Sequence, residues 1–444
     1  MHKTIIAGAL VWAALTAPAF ATQPATLDQI LSKLDALTKR VDKLESDNAS
    51  LVSENAQLKQ SNTQLETTVE GLRASAAPSK EAADTAQKVA ALEKNDQATD
   101  WASRVAWKGD FRYRHEQVQP EESDTEDKRQ RIRARFGLTA KVNDKVSATV
   151  ALATGVDPRS TNQTLTDGMN RKTVGIDQAY GDWKPINGLT VSLGKTPYPW
   201  TRVGGSEWDP DITWEGTSVR YEHGAFFGTA IGSWLSNSTG AKDVTLFGGQ
   251  VGMKGEAGGA KLLGAIGYFD IGGAQGQITT TTSTCAANTA FFGGPQGNST
   301  FTDANGCARL ANDFNIVEAI GQAEFKVGHY PVTAFVDYLQ NLEADDFETG
   351  YSVGVYLGKA ADPHTWEVGY YYQLTEKDSQ FGQFMESDFG GGITDTKGSV
   401  FKFGYAIAKN WIANATYFLN QRFVDVGDQS DYDRWQLDLN YKFQ

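Results

Sequence analysis

From Trp101 to the C-terminus the chain repeats with a period of two, and that rhythm constrains the fold more than any other feature. Strand-like runs fall at about 104–117, 128–142, 145–155, 174–184, 188–196, 215–223, 224–236, 243–254, 259–270, 312–327, 330–341, 347–359, 364–376, 397–408, 410–423 and 431–443. Such alternation places successive side chains on opposite faces of a sheet. The stretch RQRIRARFGLTAKVND (129–144) shows it most sharply, with Arg129, Arg131, Arg133 and Arg135 on one face and Ile132, Ala134, Phe136 and Leu138 on the other. Likewise Phe401, Phe403 and Tyr405 oppose Lys402, and Trp435, Leu437, Leu439 and Tyr441 oppose Asp438, Asn440 and Lys442.

Sixteen apolar faces turned inward would have to fill a very wide ring, which side chains cannot do. Turned outward they meet lipid, and the charged faces then line water. The run lengths cover the ~9 to 11 residues that a tilted strand needs to cross an outer membrane. The connections agree. VNDK (142–145), KPING (184–188), EHGA (222–225), KGEAGGA (254–260), VGHY (327–330), KAADPH (359–364) and AKNW (408–411) are tight turns, and longer connections alternate with them. An even strand count with short links at one end and long loops at the other describes an outer-membrane barrel with both termini in the periplasm. The fold class predicted is an all-β transmembrane barrel of 16 antiparallel strands, preceded by an N-terminal α-helical coiled coil.

Inside such a barrel, Arg112 and Arg114 of DFRYRHE join Arg129, Arg131, Arg133 and Arg135 as a basic wall on two adjacent strands. In a dry core these guanidiniums would need partners, whereas a hydrated lumen imposes no such demand. The connection after the fifth strand, GKTPYPWTRVGGSEWDPDITWEG (194–216), is open to two readings. It is an ordinary surface loop, or it folds into the lumen as a constriction with Glu207, Asp209, Asp211 and Glu215 facing the arginines, where opposed charges would sort solutes. Tyr198, Trp200, Trp208 and Trp214 offer either stacking surfaces for sugars or interfacial anchors.

The N-terminal quarter has a different period. Leu27, Leu34, Val41, Asn48, Asn55, Asn62 and Val69 occupy one heptad position, and Ile30, Leu37, Leu44, Leu51, Leu58, Leu65 and Leu72 the other. A strict 3,4 alternation over seven heptads predicts an oligomerising coiled coil. The three asparagines lean towards a dimer and the barrel towards a trimer. Before the coil, MHKTIIAGALVWAALTAPAFA reads as a signal peptide cleaved after Ala21. The domains expected are a signal peptide (1–21), a periplasmic coiled coil (22–73), a partly helical linker (74–100), for which a second coil segment is an equal reading, and the barrel (101–444).

The formal net charge of −13 argues against nucleic acid as a partner. Cys285 and Cys307, in a polar Gly/Thr/Asn-rich stretch of an exported chain, are expected to form one disulfide stapling a long loop. With no histidine near either thiol, no metal site is expected there. Histidines are few and scattered, no GxSxG, HExxH, P-loop or EF-hand pattern stands in a fitting context, and neither catalysis nor a cofactor is expected.

On WKGDFRYRHE, RQRIRARFGLTAKVND, ATGVDPRSTNQTL, IDQAYGDWKP, LGKTPYPW and the closing WQLDLNYKF, the chain resembles Gram-negative porins over residues 101–443. More narrowly, it resembles the proteobacterial putative-porin family that joins a signal peptide, a short coiled coil and a barrel. The resemblance implies a trimeric outer-membrane channel for passive diffusion, with the loop after strand five as its eyelet. Gln444 after Phe443 departs from the aromatic on which such barrels usually end. The function expected is passage of small hydrophilic solutes, favouring anions or zwitterions. The rival is an envelope tether or adhesin whose coil binds peptidoglycan or a partner while the barrel only anchors it.

Overall fold

The computed structural model describes residues 27–75, 103–123, 125–165, 168–205, 207–237 and 242–443. The expected signal peptide, nearly all of the expected linker and Gln444 lie outside these residues. The chain divides into two units, 1–98 and 99–444. In the first, the described part is one helix, α1 (Leu27–Ser75). It has no proline and a single glycine, Gly71, so little in it opposes helix over 49 residues. Leu44, Leu51, Leu58 and Leu65 of the heptad stripe are each more than half exposed.

The second unit is built from sixteen strands, one in each of the runs expected from the alternation. They are β1 (Val105–Pro120), β2 (Asp127–Asn143), β3 (Val146–Thr154), β4 (Val174–Trp183), β5 (Leu189–Thr196), β6 (Trp214–His223), β7 (Phe226–Ser236) and β8 (Val244–Ala257). The second half comprises β9 (Ala260–Gly272), β10 (Phe314–Val327), β11 (Tyr330–Asn341), β12 (Thr349–Gly358), β13 (Trp366–Thr375), β14 (Thr396–Ala408), β15 (Trp411–Arg422) and β16 (Ser430–Phe443). Each pairs antiparallel with its sequence neighbours, and β1 pairs with both β2 and β16, so the sheet closes on itself. Closure leaves no edge strand whose backbone groups would be stranded in hydrocarbon. At the tight end, Gly258 and Gly259 turn β8 into β9 with φ of 58° and 79°, the left-handed pair that a two-residue hairpin requires.

The faces divide as the alternation demands. Phe136, Val251, Ile266, Val353, Phe401, Phe403, Trp435 and Leu437 are exposed on the outside, where acyl chains replace water. Arg114, Glu116, Glu318, Asp337, Gln373, Asn420 and Arg434 are buried on the inside. The interior is filled in part by long connections. Residues 197–213, 273–313 and 376–395 contribute Trp200, Trp208, Ile212, Phe291, Phe381 and Phe384 to one apolar cluster with Trp214, Phe269 and Phe314 of the wall. Full burial of a large apolar side chain stabilises by about 1.5–3 kcal/mol, so this cluster holds the loops inside against their conformational entropy. Cys285 and Cys307 form a disulfide within the second connection, 5.7 Å apart at Cα. Period-two reading missed two small pieces inside long connections. Gln163–Thr164 pairs with β2, and Thr300–Thr302 pairs with Ala308–Leu310.

Candidate functional site

The arginines of β1 and β2 form a register ladder. Asp110 lies opposite Arg135, Arg112 opposite Arg133, Arg114 opposite Arg131, and Glu116 opposite Arg129. Two like-charged rungs in the middle would be destabilising by themselves, and carboxylates from three directions offset them. Asp110 accepts from Arg133 and Arg135, with contacts of 2.9 and 2.7 Å. Glu116 meets Arg129 and Arg131. Asp438 of β16 takes both Nε and Nη2 of Arg114, at 2.7 and 2.9 Å, and lies 4.0 Å from Arg112. The sequence reading placed these arginines in open water with no need of partners. The wall is instead a paired network, because closing loops narrow the lumen and desolvate it. Asp110 and Glu116 share the parity of Arg112 and Arg114, so this half of the network was written in DFRYRHE.

The connection between β5 and β6 folds inward. Its acids do not behave alike. Asp211 faces the arginine wall, 3.4 Å from Arg135 and 4.0 Å from Arg133. Asp209 is buried and accepts backbone N–H groups from Asp211 and Ser387. Glu207 is buried against the far wall, where Thr375 of β13 donates to it at 3.2 Å. Glu215 contradicts the expectation. It has the outward parity of Val219 and Tyr221 on β6 and pairs with Lys195 of β5 at 2.8 Å, because the strand has already begun by Trp214. The four aromatic rings also correct the reading. Trp200, Trp208 and Trp214 are at most 4% exposed and lie against one another and against Tyr198, with ring centroids 4.8 to 6.5 Å apart. The three indoles are the hydrophobic seat of the loop and are closed to a sugar, and the partly buried Tyr198 has the Arg202 guanidinium over its ring at 4.1 Å. Trp208 Nε1 donates to Glu318 of β10 at 2.6 Å.

The alternation gave no sign of a second inward segment, the connection between β13 and β14 (376–395). Its Asp388 is gripped by Arg114 of β1, at 2.9 Å, and by Arg434 of β16. Arg159, from the connection after β3, donates to Gly392 O at 2.5 Å, and Ser387 Oγ donates to Arg159 O. Burial alone would raise the Asp388 carboxyl, but Arg114 and Arg434 hold it well below the usual range. Burial pushes Glu386 up to about 7, with Asp388 and Asp211 adding to the shift. Burial likewise pushes Glu207 up to about 8. Nothing in QLTEKDSQFGQFMESDFGG alternates, so the inward fold of this segment depends on tertiary pairing with arginines far away in sequence.

Between this segment, the β5–β6 connection and the wall lies a cavity of about 230 Å³. Arg112, Arg114, Arg133 and Lys402 line it on the wall side, and Asp211, Glu386 and Asp388 on the loop side. Among the described residues no cluster of His, Cys, Asp or Glu could hold a metal ion.

A closed sixteen-stranded barrel, apolar outside and narrowed inside by its own loops to a charged waist, defines an outer-membrane channel of the porin class. The sequence agrees. The family model described as "Putative porin" matches residues 117–318 and 310–443, and the chain belongs to that family. It is an outer-membrane porin. The high-pH structure of Pseudomonas putida OprB superposes with a TM-score of 0.54 at 10% identity, covering 79% of this chain and 97% of that one, which shows the shared fold. A loop L8 deletion mutant of Vibrio cholerae OmpT (TM-score 0.42, 14% identity, 77% and 100% covered) and Salmonella typhi OmpF in complex with daunomycin (0.47, 12%, 76% and 97%) are also similar. No curated protein sequence matches the chain.

Proposed function

We propose that the channel passes small hydrophilic solutes by passive diffusion, with a modest bias towards anions or zwitterions and no chemistry on the solute. The carrying observation is the paired waist. Seven arginines (Arg112, Arg114, Arg129, Arg131, Arg133, Arg135 and Arg434) share six carboxylates (Asp110, Glu116, Asp127, Asp211, Asp388 and Asp438). A wall so nearly neutralised leaves a small positive excess among these residues, Lys402 and Glu386 of the same cavity offsetting one another. The acids of the β5–β6 connection divide the work in this reading. Asp211 tunes the field, while Glu207 and Asp209 seat the loop. Replacing Arg131, Arg133 and Arg135 by alanine strands Asp110 and Asp211 and inverts the local sign. The reversal potential in a salt gradient should then move towards cations, and an unchanged value would remove the selectivity part of the reading.

The expected division of the chain carries over into this proposal: coil at 22–73, linker at 74–100 and barrel from 101. The exposed heptad leucines of α1 support self-association, with trimer as the state the resemblance implies; the periplasmic place of the helix, where it could meet peptidoglycan, rests on the expected orientation of the barrel with both termini on that side. The same stripe favours the rival reading, an envelope tether or adhesin in which the helix performs the function. Deleting residues 27–73 separates them. A porin keeps its conductance, whereas a tether loses its envelope phenotype while the barrel remains.

A further inference from the structure

Seven charged residues line the cavity at the waist, and five of them are already committed. Arg112, Arg114, Arg133, Asp211 and Asp388 each have an ion-pair partner within 4.0 Å among the described residues. A solute that engaged Arg114 would have to displace a two-bond contact to Asp438 and a further one to Asp388. Bridges of that geometry are the strongest in the set, and breaking one leaves its partner charged and desolvated. The two exceptions are Lys402 on β14 and Glu386 on the β13–β14 connection, which face each other across the cavity with no ion pair within 4.0 Å for either among the described residues, Lys402 also forming a hydrogen bond with the Tyr356 side chain. Both line the cavity, one from the wall and one from the loop. Lys402 Nζ rests 5.1 Å from the centroid of the Tyr371 ring, a contact that accommodates an ammonium without neutralising it. Glu386 accepts only the backbone N–H of Asp388, at 3.3 Å.

We infer that this cavity is a binding subsite for a small zwitterion of the α-amino acid type, with Lys402 receiving the carboxylate and Glu386 the ammonium. The inference rests on the porin reading and deepens it. It moves solute recognition from the arginine wall to two opposed residues that feel each other's charge without closing an ion pair, so that a guest carrying both charges can bridge them. A cation side and, once Glu386 ionises above about pH 7, an anion side in one chamber of about 230 Å³ suit a solute with both charges. A simple anion gains Lys402 but faces Glu386, and a simple cation meets the reverse. The paired arginines and acids around them hold both walls in place without competing for the guest.

The test uses full-length protein in planar bilayers and three probes of similar size: alanine, propionate and ethylamine. Each is added to a conducting channel, and the reduction in single-channel current is followed against concentration. Alanine should reduce the current saturably, at concentrations about fivefold or more below those of the other two. Lys402→Met should weaken alanine and propionate by about fivefold or more and spare ethylamine, and Glu386→Gln should weaken alanine and ethylamine and spare propionate. Lys402→Arg should keep the wild-type order. A conducting wild-type channel that treats the three probes alike overturns the subsite and leaves the porin reading standing. So does alanine interaction unchanged in both folded variants. Absence of any conductance would strike the porin reading itself.

Discussion

Glu207 shows how a single carboxyl can set the position of a loop. It is 2% exposed, its Oε1 has no hydrogen-bond partner, and the neighbours facing it are Glu318 of β10, Asp337 of β11 and Thr375 of β13, with Arg202 of its own loop acting on Glu318 and Asp337. Burial raises its pKa from 4.5 to about 8, and the sign of the consequence follows. Below about 4.5 the group is neutral whether the loop is seated or released. Between there and about 8 the seated loop keeps a proton that the released loop gives up, so rising pH favours release. Above about 8 it ionises in place and the dependence flattens. Single-channel recordings should show larger or noisier openings at about pH 8.5 than at about pH 5, and Glu207→Gln should shrink that difference. Asp209 and Glu386 are raised in the same direction, so part of the dependence remains. A wild-type channel with no change over this range would contradict the seat. At this scale the sequence was partly legible. The arginines and their partners Asp110 and Glu116 follow one parity, whereas Glu215 was misassigned although the run at 215–223 already gave it the outward parity of Val219 and Tyr221.

Among the elements, the barrel strands were the most readable and the inward loops the least. A strand declares itself by local alternation, but a loop turns inward only because distant side chains receive it. The β13–β14 connection makes the point, since Asp388 is held by Arg114 and Arg434, 274 and 46 positions away. Asp388→Asn removes the charge that both guanidiniums share, and breaking a largely buried pair from one side costs about 3–5 kcal/mol. Heat-modifiability on a denaturing gel should show the barrel unfolding at lower temperature, and channel recordings should show frequent flicker as the segment detaches. Wild-type behaviour in both assays would mean that the apolar packing of Phe381 and Phe384 in one cluster, and of Met385 and Phe389 in another, holds the segment without the ion pairs. The β5–β6 connection was left between surface loop and constriction by its sequence. Its burial of Trp200 and Trp208 resolves the choice, and it is the packing of those rings that withdraws them from solute.

For the whole molecule, the N-terminal segment and the long C-terminal region obey different periods; the period of two named the barrel, while the heptad is matched as far as the helix α1. The helix α1 and the barrel follow from 3.5 and 2 respectively. Removing residues 27–73 should lower the oligomer number measured by light scattering in detergent while each barrel still conducts; an unchanged number would place self-association on the barrel wall. The account depends above all on which face of each strand meets water. Cys285 and Cys307 are joined to each other, which leaves a background without free thiols for single cysteines placed along β2. With a charged, membrane-impermeant thiol reagent applied to channels in a bilayer, cysteines at 131, 133 and 135 should react and change the current, and those at 132, 134 and 136 should not. The opposite alternation, or uniform reactivity along the strand, would contradict the account.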